Sequence, residues 1–94
     1  MLRPFIDALL NEGRLLKSLG KPEDMLANAD EALALSNNKS FDAQLVRAEA
    51  LEILNRWPEA VEAYKAALKL RKSSREVKKA LADAKKKVRS GGKG

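Results

Sequence analysis

A chain of 94 residues with no cysteine and no histidine is long enough for one small domain. It has no disulfide, no thiolate metal site, and neither the commonest general base nor the commonest metal ligand. Lysine and arginine outnumber the acids 19 to 13, but the surplus is local: residues 1–64 carry a net charge of −4 and residues 65–94 a net charge of +10. No apolar run approaches the roughly 18 residues of a membrane span, and Met1-Leu2-Arg3-Pro4 lacks the architecture of a signal peptide.

Alanine and leucine dominate the apolar set and nothing alternates with a period of two, so every predicted element is a helix. The first starts near Pro4, which suits a first helical turn, and carries Phe5, Ile6, Leu9, Leu10, Leu16 and Leu19 at helical spacing. Gly20 closes it. Pro22 opens the second, with Glu23 and Asp24 favourable to the helix dipole and Met25, Leu26, Ala29, Ala32, Leu33 and Leu35 along it. After the loop Ser36 to Lys39, Ser40 caps a third helix through Phe41, Leu45, Ala48, Leu51, Ile53 and Leu54. The turn Asn55-Arg56-Trp57 leads to Pro58 and a fourth, with Ala60, Val61, Tyr64, Ala67, Leu68 and Leu70. Ser73 followed by Glu76 reads as a capping box for a fifth helix. Along that helix Val77, Leu81, Ala84 and Val88 form one narrow apolar stripe, as expected of a terminal capping helix. Residues 90–94 read as a flexible tail.

The pattern repeats at an interval of thirty-five residues. Leu10, Gly13, Leu16, Leu19, Ala32, Leu33 and Leu35 recur as Leu45, Ala48, Leu51, Leu54, Ala67, Leu68 and Leu70. Two copies of one helical hairpin, each burying the other's apolar face, follow from this interval. The fold class is all-α: two stacked hairpins, about 6–39 and 41–72, and a capping helix at about 74–89, within one domain over 1–90.

These positions resemble the tetratricopeptide repeat. The first copy reads Gly13, Leu16, Gly20, Met25, Ala29 and Ala32; the second reads Ala48, Leu51, Asn55, Ala60, Tyr64 and Ala67. The first departs from the pattern at Met25 and Ala29, and its loop is one residue longer than usual. The resemblance implies a right-handed helical solenoid that binds protein partners and is not an enzyme. The run Val46 to Leu51, the run Glu59 to Tyr64 and the basic helix Arg75 to Arg89 are similar to the last repeats before the J-domain in DnaJ-type co-chaperones of the PKR-inhibitor type. That likeness implies client binding and an Hsp70-type partner; the compartment, cytoplasm or endoplasmic-reticulum lumen, stays open. A J-domain's His-Pro-Asp triplet is impossible here.

If the repeat geometry holds, an inner groove is lined by Asp7, Leu10, Arg14, Lys17, Asp42, Leu45, Glu49, Glu52 and Ile53. Apolar spots mixed with both charges suit an extended or helical peptide, and the acids favour a basic one. The carboxylate clamp of many repeats of this kind is not expected, because its aligned positions hold Leu10, Arg14 and Val46, with Asp7 and Asp42 repelling an acidic tail. The basic patch Lys78, Lys79, Lys85, Lys86, Lys87 and Arg89, with Lys93, could hold nucleic acid by neutralising its phosphates, or an acidic partner, with the repeats as scaffold. From Lys65 onward, however, no aromatic offers a stacking platform, and a solvated capping helix accounts for the same residues. An anionic membrane surface is disfavoured, since the stripe has no Trp, Phe or Ile. A structural spacer, or weak self-association through the first helix, stays open. With no Gly-rich phosphate loop and no EF-hand loop, no cofactor or metal is expected. Ser73 and Ser74 are better read as caps than as nucleophiles.

Overall fold

The computed structural model describes residues 3–91. Five helices follow one another: α1 Arg3–Ser18, α2 Pro22–Leu35, α3 Phe41–Ile53, α4 Trp57–Leu70 and α5 Arg75–Arg89. The expected tail lies, beyond Gly91, outside the described residues, as does Lys93. Each helix packs on the next, and α1 also lies beside α3. This is the all-α stack of two hairpins with a terminal capping helix.

The two hairpins turn by the same backbone device. Gly20 and Asn55 both take positive φ, 72° and 59°. Around Gly20, the Lys21 amide donates to the Leu16 carbonyl at 2.9 Å and the Gly20 amide to Lys17 at 3.1 Å. Around Asn55, the Arg56 amide donates to Leu51 at 2.8 Å and the Asn55 amide to Glu52 at 3.0 Å. These paired bonds satisfy carbonyls that a helix end leaves open, and only glycine or asparagine adopts the left-handed residue at low cost. The longer loop between the hairpins holds two such residues in succession, Asn37 (φ 54°) and Asn38 (φ 62°).

Start signals are read correctly at Ser40, whose hydroxyl accepts from the Ala43 amide at 3.1 Å. They are off by one residue at α5. Ser74, not Ser73, is the cap, accepting from Val77 at 3.3 Å. The residue three beyond Ser74 is therefore an apolar Val77, and the expected capping box does not form. The physical reason is that Val77 is a core residue, 2% exposed. Burying it sets the helix register, and the cap follows.

The core is built mostly from alanine and leucine. Leu10, Met25, Ala29, Ala32, Leu33, Ala43, Val46 and Ala50 form one cluster. Ala48, Leu51, Ala60, Val61, Ala63, Tyr64, Ala67, Val77 and Ala84 form the other, and half-buried Leu26 packs against both. Small residues let the helices approach. A Cβ on Gly13 would stand 3.3 Å from Val46 Cγ1. Not every apolar residue at helical spacing along the first helix is buried. Phe5 and Leu19 are 65% and 60% exposed, because helical spacing on α1 serves two faces and only one has a neighbour.

Candidate protein-interaction face

The residues expected in the groove fall on α1 and α3, helices that lie side by side. On α1 the interval Asp7, Leu10, Arg14, Lys17 keeps one face of the helix, as do Asp42, Leu45, Glu49 and Glu52 on α3. The structure joins these rows directly: the Lys17 ammonium donates to a Glu49 carboxylate oxygen at 2.9 Å. Asp7 instead faces Arg3 on its own helix, at 3.9 Å. Arg14 and Asp42 are exposed and Leu45 is half-buried. Ile53 is 47% exposed, the main apolar spot that this face offers to solvent.

Leu10 is placed differently from the expectation. It is 3% exposed and belongs to the core, so it forms the floor beneath this face and not a contact surface. Val46, the other apolar position at the clamp alignment, is 1% exposed. Leu10, Asp7 and Asp42 also border a hollow of about 410 Å³ at the start of α1 and α3, closed by Lys39, Leu70 and Arg71. There the Arg71 guanidinium stacks 4.0 Å from the centre of the Phe41 ring.

Acidity concentrates toward the end of α3. Glu52 holds its proton more tightly than an ordinary glutamate, first because burial disfavours the carboxylate. The negative charges of Glu49 and, from α5, Asp83 push the same way, while the Tyr64 hydroxyl and Lys17 oppose them. Tyr64, buried in the second cluster, has its own pKa raised by that burial and by Glu52. The charges of Glu49 and Asp83 thus add to the cost of ionising Glu52. A cation there would relieve it.

On α5, Lys78, Lys79, Lys85, Lys86 and Arg89 are exposed, as a solvated helix face requires. Lys87 differs. It is half-buried, with its ammonium 5.7 Å from the centre of the Trp57 ring, and so stands apart from the exposed patch. Trp57 is the first residue of α4, not part of the turn, and packs against the second cluster. The ordered polar network on the first hairpin was not legible. Asn28 donates through one nitrogen to the Leu9 carbonyl at 3.2 Å and to Glu12 at 2.7 Å. Arg47 donates to Asp30 at 2.8 Å across the α2–α3 seam. No local motif marks such pairs, because their partners lie on different helices.

Stacked hairpins with these turns form a helical-repeat fold like that of the tetratricopeptide repeat. Residues 41–84 match the tetratricopeptide repeat family model, which spans α3, α4 and most of α5. The match supports a tetratricopeptide-repeat protein, a class of non-catalytic modules that mediate protein–protein interactions. A comparison with curated proteins finds no match. Among the described residues, no helix is long and apolar enough to cross a membrane, and no group of three acids is placed to hold a metal ion.

Proposed function

We propose that this chain is a non-catalytic interaction module that binds a basic, extended or helical protein segment along the face of α1 and α3. The observation that carries this reading is the acidic charge that Glu49 and Asp83 place around the half-buried Glu52, beside the exposed Ile53 side chain. A lysine or arginine of the partner would lower the electrostatic cost of that cluster, and an adjacent apolar residue would cover Ile53. The likeness of the second hairpin and the basic helix to the co-chaperone class supports a client segment as the ligand, within an Hsp70 system.

Chemical-shift mapping of the labelled chain against a lysine-rich peptide and its acidic counterpart tests this. The basic peptide is expected to move the amides of Leu45, Glu49, Glu52 and Ile53, and Glu49→Lys with Glu52→Lys to weaken it about tenfold or more. Equal response to both peptides, or shifts confined to α5, would overturn the reading. The second of those outcomes would favour the basic helix as an anion-binding surface, with the exposed Lys78, Lys79, Lys85, Lys86 and Arg89 as its residues.

A further inference from the structure

The two ends of the stack are finished differently. On α1, Phe5, Ala8, Glu12 and Leu15 fall on one helical face, and Leu19, just past its end, continues the same spacing. Phe5, Leu15 and Leu19 are 65%, 59% and 60% exposed. The repeat shows what this face lacks. Thirty-five residues later the same positions include Ala43 and Ala50, both 0% exposed, because α2 lies over them. Where α2 provides Asp30 to bind Arg47, the uncovered face offers Glu12 in the position of Arg47. Between α1 and α2 this end opens a hollow of about 510 Å³, floored by Phe5, Ala8, Leu9 and Leu35 and rimmed by Glu12 and Glu31.

The opposite end has a hollow of matching character and opposite sign. Between α4 and α5, Pro58, Val61 and Val88 line a space of about 470 Å³, with Lys65, Lys85 and Arg89 around it. Glu62 is also at this rim, held by Lys65 at 3.6 Å. Val61 is the counterpart of Leu26 one repeat earlier, and Leu26 is covered by the following hairpin. Val88 is 38% exposed here. Both ends are therefore positions at which the stack would continue.

We infer that the chain associates head to tail with a second copy of itself, the α1–α2 end of one copy seating on the α4–α5 end of the next. Phe5 enters the hollow of Pro58, Val61 and Val88, while Glu12 and Glu31 meet Lys65, Lys85 and Arg89. Charge selects this mode over a two-fold pairing of α1 with α1. Glu12 stands midway along the stripe from Phe5 to Leu19, so either a parallel or an antiparallel pairing of the two stripes sets Glu12 against its own copy. Like charges in direct apposition disfavour that arrangement. A head-to-tail contact is heterologous and open at both ends, so it extends beyond dimers. Two small hollows give a small interface, and the association is weak.

Sedimentation equilibrium of the full chain from micromolar to millimolar concentration, at low and high salt, tests the inference. Average mass is expected to rise past that of a dimer with concentration and to fall with added salt. Glu12→Lys with Glu31→Lys, and separately Lys85→Glu with Arg89→Glu, should each weaken association about tenfold or more. All four substitutions are at exposed positions, and circular dichroism checks that the helices persist. An equimolar mixture of the two variants should associate again, since each then offers the other complementary ends. A chain that stays monomeric throughout overturns the inference. So does association that ignores both charge reversals but is lost with Phe5→Ser and Leu15→Ser, which would be the α1–α1 dimer.

Discussion

The first and second hairpins share a backbone and differ in what surrounds them. Their turns make the same hydrogen bonds, with Gly20 corresponding to Asn55 and the Leu16 carbonyl to that of Leu51. Yet Leu51 is 0% exposed while Leu16 is only half-buried. The second hairpin is sandwiched between α2 and α5, and the first is covered on one side. The difference teaches that a repeat fixes the shape of a unit, while its stability comes from neighbours. The fill differs as well. Met25 and Ala29 in the first hairpin stand where Ala60 and Tyr64 stand in the second, so one flexible thioether and a methyl do the work of a methyl and an aromatic ring.

The strongest way to break this comparison is to truncate the paired leucines. Leu51→Ala should cost about 2–5 kcal/mol, as expected of a fully buried leucine whose surroundings relax only partly. Leu16→Ala should cost only about 1 kcal/mol. Urea denaturation of both variants decides it, and equal losses would mean that the hairpins are equivalent after all. The turns offer a smaller contrast. Gly20→Ala should destabilise by roughly 1–2 kcal/mol, since a Cβ at positive φ is strained. Asn55→Gly should be neutral or stabilise by under about 1 kcal/mol, because it removes that strain.

The smallest effect is electrostatic and sharpens the difference between a desolvated carboxylate and an ion-paired one. Burial raises the pKa of Glu52 above the ordinary glutamate value of 4.5. Its contribution to stability is fully present below that value and is lost as pH rises through the raised, folded pKa. Glu59, gripped by Arg56 at 2.8 and 2.7 Å, has its pKa lowered by that hydrogen-bonded pair. Its contribution is present above 4.5 and lost as pH falls through the lowered, folded pKa. Thermal melts of Glu52→Gln and Glu59→Gln across the acidic range should therefore diverge from the parent in opposite directions. A parallel course would remove the basis for treating the α3 acids as strained.

Much of this architecture was legible because it is local or periodic. Pro22, Ser40 and Pro58 mark helix starts through backbone chemistry that needs no distant partner, and Gly20 marks an end in the same way. The interval between the hairpins told which faces meet. What stayed hidden depended on how many neighbours each face has. Phe5 and Leu19 have the spacing of core residues, and nothing in their own helix says that no helix covers them. Leu10 reads as groove lining because it shares a row with Asp7 and Arg14, yet it sinks into the core beneath them. The Ser73 reading failed for a related reason: two adjacent serines both suit a cap, and the burial of Val77 chose between them. On the interaction face, the acids of α3 were visible in the sequence, whereas Asp83 of α5 joins them only through the fold.

The chain's single tryptophan lies on the seam between the second hairpin and α5, with Lys87 above its ring. Its indole nitrogen is buried without a hydrogen-bond partner among the described residues. An indole in that setting emits at shorter wavelength than one in water. The molecule thus carries its own optical gauge of whether the last helix is seated: a red shift that precedes the loss of helical signal would time the undocking of α5, with no label attached.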